Sequence, residues 1–159
     1  MSLYDSLIHA FGTAATGVFS NKNLSVAAFD SIYIDTIITV FMLLFGVNFT
    51  LYYAGFKGNL KAALRDEELR FYVGAVVAAI ALITWNIHGK VFHSLGEAVR
   101  YSAFQVSSII TTTGYATADF NLWPEFSKCI LLWLMFLILL FKVIKREIYK
   151  IIHPRWYIP

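Results

Sequence analysis

Two short stretches hold the residues whose types and spacing are best suited to chemistry: Gly12-Thr13-Ala14-Ala15-Thr16-Gly17-Val18-Phe19-Ser20 and Thr111-Thr112-Thr113-Gly114-Tyr115-Ala116-Thr117. They are short of acids and bases, so the chemistry on offer is coordination by oxygen. Glycine permits the backbone angles that keep neighbouring carbonyls pointing the same way, and a run of such carbonyls can replace the water shell of a cation. Threonine hydroxyls add a further oxygen at the inner end. One Thr-Gly pair is ordinary turn chemistry. Here Thr16-Gly17 and Thr113-Gly114 lie 97 positions apart, each between a short apolar run and a longer one, which makes an internal repeat. The other reactive residues form no set: His9, His88, His93 and His153 lack ligand-like spacing, and no carboxylate pair or Ser/His/Asp group shares an expected face. Neither metal hydrolysis nor nucleophilic catalysis is supported, and the expectation is a protein that is not an enzyme. Cys129 is the single cysteine, so no disulfide forms within the chain.

The elements that position these stretches are dictated by lipid. Of 159 residues 58% are apolar and 14% charged, with mean hydropathy +0.65, against about 25% charge in an ordinary soluble domain. Crossing the hydrocarbon layer takes roughly 20 apolar residues in a helix. Ser31 to Tyr53 and Phe71 to Phe92 have that length, and Cys129 to Phe141 reaches it if Lys128 and Lys142 snorkel to the two interfaces. Leu3 to Phe11 and Leu95 to Ile110 are too short or too polar to span, and each runs into one of the Thr-Gly stretches. Irregular backbone at bilayer depth is tolerated where protein buries it or where it lines a polar cavity. A re-entrant helix returning as extended chain meets that condition, and its C-terminal partial negative charge favours a cation. The expected fold is therefore an all-α integral membrane protein in which one unit, a short helix, a Thr-Gly turn and an outer-to-inner helix, occurs twice. It is incomplete, with two filter segments and about three spanning helices, because the first copy lacks a span like Phe71 to Phe92. The expected organisation is 1–54 pore loop and following helix, 55–70 cytoplasmic loop with a short surface helix, 71–145 complete repeat, and 146–159 basic tail.

The net charge is +3, but the bases flank apolar runs and do not cluster beside aromatics on one soluble face, so nucleic acid is not the expected partner. Lys57, Lys61, Arg65 and Arg70 fall between the first two spans, and Lys142, Lys145, Arg146, Lys150 and Arg155 after the third. The positive-inside rule places both groups, and hence the C-terminus, in the cytoplasm. The first twelve residues carry no secretory signal. Asp35 is read either as an acid at a pore mouth or as a dipole partner at a helix start. Asp119, with Glu125, is read either as an entrance charge or as a solvated loop acid. Asn48 and Asn86 are expected to hydrogen-bond between helices.

Phe104-Gln-Val-Ser-Ser-Ile-Ile-Thr-Thr-Thr-Gly-Tyr-Ala-Thr-Ala-Asp-Phe120 with Trp123-Pro124, and His9-Ala-Phe-Gly-Thr-Ala-Ala-Thr-Gly-Val-Phe-Ser20, resemble filter segments of the TrkH/KtrB potassium-uptake family. Gly46-Val-Asn48-Phe49 and Ile152-His153-Pro154-Arg155 are similar to other pieces of it. The resemblance covers nearly the whole chain. It implies a pore built from four tandem helix–pore-loop–helix repeats of the potassium-channel type, of which this chain resembles an incomplete fragment from the second-repeat pore loop to the end of the third repeat. It also implies potassium as the transported ion, with no other cofactor, and selectivity glycines at Gly17 and Gly114. The neighbouring carbonyl donors it implies are Ala15, Thr16 and Val18, and Thr112, Thr113 and Tyr115. The implied setting is the plasma (inner) membrane, and the implied partners are a second copy of the chain or the remaining repeats, and a cytoplasmic nucleotide-binding regulatory subunit. The family's third repeat ends in a helix interrupted by a Gly-Ser-rich gate, whereas no glycine follows Gly114 here. The alternative expectation is accordingly a truncated, non-conducting subunit that only assembles with homologues.

Overall fold

Ser2 opens the first helix with a reciprocal cap: its hydroxyl accepts from the Asp5 amide, and the Asp5 carboxylate accepts from the Ser2 amide. The structure, a computed structural model, describes residues 1–57 and 66–152. Its helices are α1 (Leu3–Ala15), α2 (Ile32–Phe45), α3 (Phe49–Phe56), α4 (Glu67–Ile87), α5 (Leu95–Ile110) and α6 (Glu125–Ile152), with 3-10 turns at Ser25–Phe29 and Phe120–Leu122. The order α1, turn, 3-10 turn, α2 recurs as α5, turn, 3-10 turn, α6, with α4 preceding the second copy.

α5 is the hub, packed against α2, α4 and α6. One core cluster joins Val76, Ala79, Ile83 and Ile87 of α4 to Ala98, Val106 and Ile110 of α5 and Leu131 and Leu134 of α6. The 3-4 spacing along α4 gives it the single apolar stripe such packing needs. A second cluster crosses the repeat boundary, where Ile38 and Met42 of α2 meet Phe104 and Tyr115 of the second copy. Large apolar side chains elsewhere stay exposed, among them Phe11, Tyr33, Trp85, Trp133, Phe136 and Leu139, as suits a surface facing lipid. Between α1 and α2 runs an apolar groove of about 590 Å³ lined by Ala10, Ile34, Ile37 and Phe41.

α4 is long and apolar enough to cross a membrane, and it starts at Asp66, whose carboxylate accepts from the amides of Glu68 and Leu69. The run from Ser31 to Tyr53, expected as one span, is instead broken after Phe45 into α2 and α3. The reason is tertiary. A Cβ at Gly46 would lie 2.5 Å from the Tyr72 hydroxyl and 2.7 Å from Cγ2 of Thr111, so the chain approaches two neighbours too closely for a side chain. Carbonyls released at the end of α2 find donors: the Tyr72 hydroxyl bonds Leu43 O at 3.2 Å and the Tyr52 hydroxyl bonds Leu44 O at 2.6 Å. Asn48 sits at this break and not inside a span, and its amide donates to the Glu68 carboxylate of α4 at 3.5 Å. Asn86 does link helices, its amide donating to the Ser127 hydroxyl at 2.8 Å. The α6 backbone continues from Cys129 through the basic residues to Ile152. Residues 58–65, with Lys61, Arg65 and the expected surface helix, and the tail from His153 lie outside the described residues.

Candidate cation site at two strained turns

Helices α1 and α5 each end in a turn closed the same way. In the first, Thr16 N donates to Thr13 O (3.4 Å) and Gly17 N to Gly12 O (2.9 Å). In the second, Thr112 N donates to Ile109 O (3.0 Å) and Thr113 N to Ser108 O (2.9 Å). Positive φ falls on alternate residues: Thr16 (49°) and Val18 (64°), then Thr112 (60°) and Gly114 (75°). Three of these four are β-branched, for which a left-handed backbone is an outlier costing on the order of 1–3 kcal/mol each. Such strain persists only where the surroundings over-determine it.

The surroundings do so. The Ser108 hydroxyl donates to Tyr115 O at 2.6 Å, and the Thr111 and Thr113 hydroxyls share a 2.7 Å bond. Thr113 and Tyr115 are buried while Thr112 and Gly114 are exposed, so the second turn alternates inward and outward. Tyr115 also ties the turns together: its hydroxyl donates to Phe19 O at 3.2 Å, in a space open only because Gly12 has no side chain. Ala27 N donates to Ala116 O at 3.2 Å. His9, buried, bonds Asp5 O through Nδ1 (2.8 Å) and the Ser20 hydroxyl through Nε2 (3.1 Å), and its ring meets those of Phe29 and Tyr115. The Asp5 carboxyl is held down to about 2 by the Asn21 amide and the Ser2 hydroxyl. A hydrogen-bonded frame of Asp5, His9, Ser20 and Asn21 thus anchors the first turn to α1.

The structure registers the two turns differently from the Thr-Gly match. By hydrogen bonds and by φ, Gly17 pairs with Thr113 and Val18 with Gly114, an offset of 96 and not 97. Ala15, Thr16, Gly17 and Val18 still share one turn, and Thr112, Thr113, Gly114 and Tyr115 the other. The two turns touch, since a Cβ on Gly114 would lie 2.8 Å from a Val18 methyl. The two acids stand apart from the turns. Asp35, buried in the first turn of α2, faces Arg100 of α5 with Oδ2 3.8 Å from Nε. Asp119 caps the second 3-10 turn, accepting from the Asn121 amide at 2.9 Å. Ser108, Gly12 and Gly46 carry structural weight that the motif reading missed. Gly12 could have been singled out by its place within the repeated stretch; Gly46 and Ser108 give no local signal.

Among the described residues the chain is helical, with α1 and α5 each ending in one of the two turns, and it has the fold of a helical membrane transporter. It superposes with a TM-score of 0.79 on the crystal structure of the potassium transporter TrkH from Vibrio parahaemolyticus, at 29% identity, covering 99% of this chain and 38% of that one. In sequence it is 34% identical to the Trk system potassium uptake protein TrkH of Salmonella typhimurium and 32% identical to that of Escherichia coli, in each case over 97% of this chain and 36% of the relative. No protein-family model matches the chain. The chain is a homologue of the Trk potassium-uptake proteins, as its filter-like motifs indicated, and it spans about a third of the length of these relatives. These relatives are by name uptake proteins and not enzymes.

Proposed function

We propose that the chain contributes two walls of a potassium-conducting path in the plasma membrane, and that the ion is coordinated by backbone oxygens of Ala15, Thr16, Gly17 and Val18 and of Thr112, Thr113, Gly114 and Tyr115. The observation that carries the reading is the alternating left-handed backbone at Thr16, Val18, Thr112 and Gly114. Alternating handedness turns successive peptide groups so that their N–H groups gather on one side, which leaves the carbonyls along the other. Three β-branched residues are held in that conformation against its cost, and strain of this kind concentrates at functional sites. Tyr115 completes the set of donors: its carbonyl accepts from Ser108 through one of two lone pairs, and its hydroxyl is the brace between the turns.

The names of the relatives supply potassium as the ion and the Trk system as the setting. Two walls call for others, from a second copy of this chain or from further repeats. The bases following α3 and along the end of α6 mark the cytoplasmic face and the docking side for a nucleotide-binding regulatory subunit. Asp35 is assigned to the Arg100 pair that joins the repeats, and Asp119 to the cap of its turn. Rubidium flux into liposomes, compared between the native chain and Gly114→Ser, tests the proposal. The native protein carries rubidium and the variant loses most of the flux. Equal flux from both contradicts the site, and no flux from either favours the non-conducting subunit.

A further inference from the structure

Val18 differs from its counterpart at the same place in the repeat in a way that bears on the contact between the two turns. Hydrogen bonds and φ pair it with Gly114, yet it carries an isopropyl group where Gly114 carries none. A β-branched residue at φ 64° is strained, and burial does not hold it there, for its side chain is 57% exposed. What the side chain does touch is the other turn. An added Cβ at Gly114 would stand 2.8 Å from Val18 Cγ1 and 3.0 Å from Cγ2, closer than carbon atoms approach without one of them moving. The bare backbone of Gly114 and the methyls of Val18 therefore fit as socket and knob, and φ of 75° at Gly114 independently disfavours a side chain there.

We infer that Val18 is a spacer, a positioning residue that fixes the separation of the two turns by seating its methyls against Gly114 and thereby sets the cation radius the site accepts. The inference rests on reading the turns as a cation path. It goes beyond that reading because it gives the ion's size discrimination to a side chain where the path itself is backbone. The physical link is short. Carbonyls on two rigid turns select by radius only if the distance between the turns is fixed. Direct links between the two copies near this point are the Tyr115 hydroxyl bond to Phe19 O and the Ala27–Ala116 bond. Both lie further along the chain than Val18 and Gly114, by one residue for Phe19 and Tyr115, and the Val18–Gly114 contact adds a link within the turns themselves.

The test uses the full chain in detergent and reads thermal stability in sodium, potassium, rubidium and caesium chloride. An ion bound to the folded state alone raises Tm by mass action, so apparent affinities follow without any need for conduction. Native protein is expected to favour one radius. Val18→Gly is expected to flatten the series, with the affinity ratio between the best ion and its neighbours falling about tenfold. Val18→Thr, which keeps the branched shape, retains the native order, and Val18→Ala lies between. A second arm needs no ion: Gly114→Ala lowers Tm strongly beside Val18 and much less beside Val18→Gly. An unchanged ion order in Val18→Gly, or an equal cost of Gly114→Ala in both backgrounds with ion shifts intact, overturns the spacer alone. Absence of any ion-dependent shift in the native protein overturns the cation reading and the selectivity role with it, while the double substitution still decides whether the two residues oppose each other.

Discussion

Replacing Gly46 with alanine puts a single methyl group at the point where the end of α2 meets both α4 and the start of the second turn. The new Cβ would stand 2.5 Å from the Tyr72 hydroxyl and 2.7 Å from Thr111 Cγ2, and both neighbours are engaged. Tyr72 donates to Leu43 O at 3.2 Å, and Thr111 holds Ser107 O and the Thr113 hydroxyl, each at 2.7 Å. Displacing Tyr72 forfeits a net hydrogen bond of about 1 kcal/mol. Forcing a methyl into the contact adds about 1–3 kcal/mol. Gly46 has φ −71°, so alanine adopts its backbone freely and recovers at most about 1 kcal/mol of propensity. The net cost is about 1–4 kcal/mol, which for a chain of this size lowers Tm by roughly 2–16 °C at about 2–4 °C per kcal/mol. Thermal unfolding in detergent measures it, and the pairing with Tyr72→Phe and Thr111→Ser, which trim the two obstructing atoms, should recover most of the loss. A Gly46→Ala protein as stable as the native one would refute the close approach that breaks Ser31–Tyr53 into two helices.

Other outcomes follow from the same contacts. Asp35→Asn leaves Arg100 without its carboxylate at a site where both side chains are largely buried; Tm should fall by more than in the Asp35→Asn/Arg100→Gln double variant, since breaking a buried pair costs more than removing it. His9→Ala removes two hydrogen bonds and two ring contacts at once, a loss of about 2–4 kcal/mol; limited proteolysis should then cut near Phe19 before any other site. The Asp5 carboxyl is held down to about 2 in the folded chain against 3.8 in its absence. The unfolded state therefore binds the extra proton, and stability conferred by Asp5 is present above about pH 4 and fades as pH falls toward 2. The native chain should lose Tm through that window more steeply than Asp5→Asn.

Local physics made several elements legible in the sequence. The run Leu95 to Ile110 is a helix with those bounds, while α4 covers the expected stretch from Phe71 only to Ile87, short of Phe92, with an acidic first turn added at its start. The second turn was equally legible, but the first begins later than its Gly-Thr cluster suggests, since α1 runs on through Gly12, Thr13 and Ala14 to Ala15 and the turn starts at Thr16. The break at Gly46 was not, since a lone glycine in an apolar run is compatible with a continuous helix, and its cause lies 26 and 65 residues away at Tyr72 and Thr111. The register of the repeat misled for a related reason. Thr16-Gly17 matches Thr113-Gly114 letter for letter, but backbone hydrogen bonds at the helix ends set the pairing and place Val18 opposite Gly114. The partner of Asp35 was hidden for the same cause, Arg100 being brought to it by the packing of α2 on α5.

On the reading proposed above, peptide oxygens of the two turns hold a dehydrated potassium-like ion. A crystal structure of the chain grown in rubidium, with anomalous diffraction recorded at the rubidium edge, addresses it most directly. The account predicts a peak within coordination distance of carbonyls from residues 15–18 and 112–115. A clean map without density there, or with rubidium bound only at surface carboxylates, would contradict it.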